Sequence, residues 1–184
     1  MPQNRKDITG GQPATYRPDK RGAAPTLYSL DESIAYQLRQ TYKLFTQNLQ
    51  ALLDDYNVSV GMWYFLRALW DEDGLTQRQI SAKVGLVAPT AVEQLRNMEK
   101  RGLLERRRSH EDRRKMHIFL TAEGRNLREK LLPFAPFVNG VALAGLSPGE
   151  VGFLRLVLAR MHENLTNYAA AASESAGAET ASED

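Results

Sequence analysis

Apolar residues recur at three- and four-residue steps from Ile34 through Leu38, Phe45, Leu49 and Leu52. That period predicts an amphipathic helix about five turns long. Ser29 and Glu32, three apart, have the spacing of a capping box, so the helix is expected over 29–55. The next segment, GMWYFLRALW, is apolar nearly all round and predicts a buried helix from Ser59 to Trp70, ended by Asp71–Gly74. Two short helices follow. Thr76 and Gln79 form a second capping box, and Gly85 stops the helix they open. Pro89 supplies a first-turn proline for the next one, with Ala91, Leu95 and Met98 as its buried stripe and Gly102 at its end. Leu103–Arg107 and Met116–Leu120 read as two strands around a charged loop, 108–115. Thr121 caps a long helix reaching about Ala144, with kinks expected at Pro133 and Pro136. Ser147, Pro148 and Glu150 open a last helix that carries Val151, Leu154, Val157 or Leu158, Met161 and Leu165 on one face.

The predicted fold is mainly α with a small β-hairpin wing. It comprises a winged helix-turn-helix lobe (58–120) and a helical region (28–57 and 121–170) built from both ends of the chain. Residues 1–27, rich in Gly and Pro, read as a flexible arm, and 171–184, made of Ala, Ser and Glu, as a disordered tail. The first and last helices each present a long apolar stripe that the central lobe cannot cover, which predicts a homodimer.

Charge sharpens this picture. The net charge is only +2, but Thr76–His117 holds eleven Lys or Arg against five acids, a local +6, while the tail from Ala171 carries four acids. A basic segment in a balanced chain points to a polyanion-binding face. With Ala91, Leu95 and Met98 turned inward, the second short helix leaves Pro89, Thr90, Glu93, Arg96, Asn97 and Lys100 on its outer face. A helix of this size fits the major groove of duplex DNA. There Thr90 and Asn97 can bond bases or phosphates, Glu93 can accept from cytosine N4, and Arg96 or Lys100 can neutralise phosphate. Thr76, Gln77 and Arg78, at the start of the preceding helix, join the candidate DNA-binding set. So do Arg108, Arg113, Arg114 and Lys115 of the hairpin, where an arginine can enter a minor groove.

Two stretches, LTQRQISAKVGLVAPTAVEQLRNMEKRGLLER and EDRRKMHIFLTAEG, carry a family resemblance. Residues 62–124 resemble the multiple antibiotic resistance regulator (MarR) family of winged-helix repressors, the second stretch resembling the family's wing signature. The flanking helices, 29–55 and 147–168, are similar to the family's helical dimerisation region. The resemblance implies that Asp112 and Arg114 shape the wing, that Arg113 or Arg114 touches DNA, and that Pro89 and Thr90 begin the recognition helix. Val92 and Glu93 depart from the usual pattern, which leaves the base-contact set and the operator sequence open. A twofold dimer implies an inverted-repeat operator, with recognition helices one DNA turn, roughly 34 Å, apart.

The resemblance also implies a small-molecule effector, commonly an aromatic acid, with a coenzyme A thioester as an alternative. Candidate ligand residues are Tyr36, Arg39 and Tyr42 on the first helix and Trp63, Tyr64 and Arg67 on the second. An arginine beside aromatic rings suits a carboxylate. The scattered His110, His117 and His162 lack metal-ligand spacing, and no cofactor is expected. Absence of cysteine excludes thiol chemistry. No nucleophile elbow, phosphate loop or spaced acid pair appears, which argues against an enzyme. The polar N-terminus and the lack of a long apolar run predict a cytoplasmic protein without a membrane span. An architectural winged-helix protein, binding any duplex in a salt-dependent way, is the alternative reading.

Overall fold

A computed structural model describes residues 29–85, 88–108 and 116–181. The chain divides into two units, residues 28–144 and the segment from Gly145 onward. No helix among the described residues is long and apolar enough to cross a membrane.

In the first unit the capping box at Ser29 exists, but it closes a single 3-10 turn, Leu30–Glu32. Helix α1 (Ile34–Leu53) starts afterwards, capped by Ser33, whose extended backbone (φ −74°, ψ 113°) interrupts the helix expected from residue 29. A 3-10 turn and left-handed Asn57 end α1. The side chain of Gln50 then stitches the corner, donating to the Val58 carbonyl (3.0 Å) and accepting from the Val60 amide (2.9 Å). Helix α2 (Val60–Asp71), capped by Ser59, buries Met62, Trp63, Phe65, Leu66, Ala68, Leu69 and Trp70, as its apolar run predicts.

Strand β1 (Leu75–Thr76) leads into α3 (Gln77–Val84), and α4 (Ala88–Lys100) follows. Strands β2 (Leu104–Arg108) and β3 (Met116–Leu120) complete an antiparallel sheet of order β1-β3-β2. The sequence pattern misses β1, because two residues show no alternation. It also places β2 one residue early: the Leu103 amide donates to the Met98 carbonyl and still belongs to the end of α4. The core joins Phe65, Leu66 and Leu69 of α2 to Ile80, Leu95, Met98, Leu104, Ile118 and Leu120, each at most 2% exposed.

The long helix expected over 121–144 is two helices, α5 (Ala122–Leu131) and α6 (Phe134–Ala142). Pro133 has no N–H to continue the ladder, so the helix stops rather than bends. Pro136 causes no kink, since it lies in the first turn of α6, where a missing donor costs nothing.

In the second unit α7 spans Pro148–Ala181. Its opening box is formed: Ser147 donates through amide and hydroxyl to the Glu150 carboxylate (2.8 and 2.7 Å), holding that carboxyl below its ordinary value. The helix runs well past Ala171, where a disordered tail is expected, because the segment is dominated by alanine, the strongest helix former. Val151, Leu154, Leu158, Met161, Leu165 and Tyr168 fall at alternating steps of three and four. Leu154, Leu158, Leu165 and Tyr168 stay exposed, as do Phe153 and Leu156 beside them.

Candidate nucleic-acid interface and ligand cleft

The first short helix of the pair is held by the Thr76–Gln79 capping box, in which the Thr76 amide donates to Gln79 Oε1 at 2.9 Å. Gly85, at φ 71°, ends it in the left-handed region that glycine enters without strain. Helix α4 anchors through Ala91, Leu95 and Met98, each 0% exposed. Helical periodicity then forces Pro89, Thr90, Glu93, Arg96, Asn97 and Lys100 outward, and all six are exposed. Thr90, Glu93, Gln94, Arg96, Asn97 and Lys100 line a surface cleft of about 460 Å³. Thr76 and Gln77 are half-buried and Arg78 is exposed at the start of α3.

The hairpin is tied to α4 by an ion pair between Arg106 and Glu99 at 3.1 Å. On its other face Arg107 pairs with Glu105 and lies 4.9 Å above the Phe119 ring. Arg108 is exposed at the outer end of β2, opposite Met116. The expected tip residues Arg113, Arg114 and Lys115, with His110 and Asp112, lie outside the described residues. His117 Nδ1 lies 2.7 Å from the Gly74 carbonyl. It and His162, which sits on α7, belong to different units.

Two supports of this lobe escape the sequence reading. Asp73, taken only as part of a helix stop, accepts from the Leu120 amide (2.9 Å) and the Gly74 amide (3.1 Å) and pairs with Arg125 (2.8 Å). It thereby joins the end of α2 to β3 and α5. Gly124 receives the Trp70 indole N–H on its carbonyl (2.9 Å) and packs so closely that an added Cβ would lie 2.1 Å from the Leu103 oxygen. The signal for Gly124 is its place as the last residue of the EDRRKMHIFLTAEG stretch, and the physical meaning of that glycine is this contact between wing base and α5.

The six candidate ligand residues do not form one cluster. Arg39 lies 5.5 Å over the Tyr36 ring on its own helix, and Arg67 pairs with Asp71 one turn on, at 3.5 Å. The Tyr64 hydroxyl is pushed up to about 12, first by partial burial and then by the neighbouring Tyr42 hydroxyl. Trp63 and Tyr64 meet edge to face, 5.3 Å between ring centres. These last two line a cavity of about 230 Å³ between α1, α2 and α6, together with Phe45, Thr46, Leu49, Ala135, Val138 and Asn139. Tyr36, Arg39, Tyr42 and Arg67 are not among its walls. A neighbouring apolar groove of about 410 Å³ runs along α1 and α6 past Leu44, Phe137 and Val141.

Comparison with known proteins agrees with this layout. Residues 58–116 match the model of the MarR family. The chain is 30% identical over 128 residues to the transcriptional regulator HosA of Escherichia coli, spanning 69% of this chain and 93% of HosA. The structure of BpsR from Bordetella bronchiseptica, whose DNA binding is regulated by 6-hydroxynicotinic acid, superposes with a TM-score of 0.68 at 25% identity over 74% of this chain and 97% of BpsR. The S. aureus MepR–DNA complex gives a TM-score of 0.68 at 25% identity, over 71% of this chain and 97% of MepR.

Proposed function

Since the chain belongs to the MarR family and is a DNA-binding transcriptional regulator rather than an enzyme, we propose that it acts as a homodimeric repressor, released from an inverted-repeat operator by a small aromatic effector. The observation that carries the DNA part is the outer face of α4. Three fully buried residues hold the helix to the lobe, and Thr90, Arg96, Asn97 and Lys100 stand free opposite them. That face enters the major groove, and the wing, through Arg108, Arg113, Arg114 and Lys115, contacts the backbone or minor groove. Thr76, Gln77 and Arg78 reach phosphates beside the helix pair.

Dimerisation rests on apolar surface that a lone chain leaves wet. Ile34, Leu38 and Leu44 on α1, Phe137 and Val141 on α6, and Phe153, Leu156 and Leu165 on α7 are all more than 40% exposed. Patches of this kind mark protein interfaces. An effector reading is supported by the cavity beneath α1 and by BpsR, which responds to an aromatic acid. A cytoplasmic location suits such a regulator.

A gel shift on the DNA upstream of the protein's own gene, with competitor duplex, tests the proposal. Specific binding by a dimer is expected. Replacing Arg113 and Arg114 with alanine should weaken binding and reduce its salt slope by about 1 per lost phosphate contact, with the dimer intact in sedimentation. Equal affinity for every duplex would instead support the architectural reading.

A further inference from the structure

We propose that Arg101 is a positioning residue for DNA reading: it ties the C-terminal end of α4 to the corner where α1 ends, and so sets the angle at which α4 meets the groove. The proposal rests on the reading of α4 as the helix that enters the major groove, and goes beyond it in saying what aims that helix. In the sequence Arg101 is one cation of a basic segment.

The contact is specific. One arm of the Arg101 guanidinium donates to the Asn57 carbonyl, and the other donates to the Met62 sulfur at 2.9 Å. Asn57 closes the 3-10 turn that follows α1, with a left-handed backbone (φ 52°, ψ 33°), and Met62 lies buried in the first turn of α2. Arg101 itself follows Lys100, the last residue of α4, and its amide donates to the Asn97 carbonyl (3.1 Å). One cation thus stands at the C-terminal ends of two helical segments, where unpaired carbonyls and the helix dipole favour positive charge. The corner is fastened to α1 as well, by the Gln50 side chain that bonds Val58 and Val60.

Ala91, Leu95 and Met98 set how deep α4 lies, but apolar burial is non-directional and resists a small tilt weakly. Direction comes from polar contacts at the C-terminal end. Glu99 pairs with Arg106 of β2 at 3.1 Å, and Arg101, two residues on and roughly opposite, holds the corner. Thr90 lies eleven positions before Arg101, about 16 Å along the helix. A tilt of about 5° at the C-terminal end would move Thr90 by about 1.4 Å, beyond the roughly 0.5 Å spread of good hydrogen-bond distances. Charge attraction to phosphates survives such a shift, so the loss falls on sequence reading.

The test titrates full-length protein, over a range of salt, with the duplex it selects from a random pool and with a scrambled duplex of the same composition. Arg101→Met keeps much of the aliphatic stem and removes both donors. It should weaken the selected duplex by about tenfold or more and the scrambled one by less than about twofold. The salt slope should stay unchanged and the dimer intact in sedimentation. Arg101→Lys can still donate to the Asn57 carbonyl, though not to both partners, and should lose about threefold. A direct phosphate contact would instead weaken both duplexes alike and lower the salt slope by about 1, and that result overturns the proposal. A purely structural role would lower Tm and leave the selected-to-scrambled ratio of Arg101→Met unchanged, which overturns it too. So would a monomeric variant, or Arg101→Lys as impaired as Arg101→Met. Should Arg101→Met fail to fold, Arg101→Lys decides alone, a ratio equal to that of wild type refuting the positioning role. A wild type that selects no duplex would sink sequence-specific reading by α4 and the aiming with it, whereas a selected duplex with an unchanged variant ratio sinks the aiming alone.

Discussion

Replacing Gly124 with alanine sets two opposing effects against each other at a position that joins the wing to the helices. Gly124 is the third residue of α5, and alanine there gains up to about 1 kcal/mol in helix propensity. The added Cβ, however, would sit 2.1 Å from the Leu103 carbonyl oxygen and 3.0 Å from Leu120 Cδ2. Backbone must therefore retreat by roughly 1 Å to reach contact distance. Overpacking of this kind costs about 1–3 kcal/mol. The same retreat loosens two hydrogen bonds, Thr121 amide to Leu103 carbonyl (3.2 Å) and Trp70 indole to Gly124 carbonyl (2.9 Å). Weakening them adds about 1–2 kcal/mol. Clash outweighs propensity, leaving a net loss of about 1–4 kcal/mol and a fall in Tm of about 2–15 °C for a chain of this size. Thermal and urea denaturation, followed by circular dichroism, measure it. Gly140 in α6 serves as the internal control, because a Cβ there meets nothing within 4 Å. Gly140→Ala should be neutral or stabilising. A Gly124→Ala protein as stable as wild type would show that α5 does not bear on the wing base as described.

Two further outcomes follow from the same geometry. Glu93 is a carboxylate among cations on the outer face of α4, where it repels phosphate, so its value lies in accepting from a base amine, best cytosine N4. Binding-site selection with wild type and Glu93→Gln should show one C·G preference, worth about 1–3 kcal/mol, lost in the variant; identical preferences would remove Glu93 from base reading. Tyr64 has its hydroxyl raised from 10.0 to about 12 in the folded protein, so the unfolded chain ionises first as pH climbs. The stability this group contributes is present in full below about pH 10 and drains away between there and pH 12. Urea titrations should thus give a constant wild-type minus Tyr64→Phe difference up to pH 10 that declines above it, and a difference flat throughout would contradict the partial desolvation of the Tyr64 hydroxyl.

What the sequence discloses depends on how local the deciding physics is. Caps at Thr76, Thr121 and Ser147 are set within four residues, and the structure forms each of them. The inward stripe of α4 is equally local, since 3.6-residue periodicity alone decides which residues face the core. Strand β1 is different. It exists because Leu75 and Thr76 pair with Ile118 and His117, forty residues away, and no pattern over two positions reports that. Ser29 shows a subtler limit: its capping box is real, yet one extended residue, Ser33, decides that it closes a turn and not α1.

The ligand cleft tests the same distinction at the level of function. Arg39 and Arg67 are spaced on their helices so that they share a side with tyrosines and a tryptophan, and sequence alone makes them natural carboxylate partners. Local competition wins instead, through a ring three residues back for Arg39 and a carboxylate four residues on for Arg67. Both are short-range contacts of the type that helical geometry offers to any flexible cation. What remains to face the cavity comes from three helices, with α6 supplying Ala135, Val138 and Asn139 that the one-helix expectation for 121–144 could not aim. The break at Pro133 therefore shapes this cleft. By ending α5 it frees α6 to take its own direction against α1 and α2 and to close the wall opposite Trp63. A chain with Pro133 replaced by a helix former would test whether that wall depends on the break.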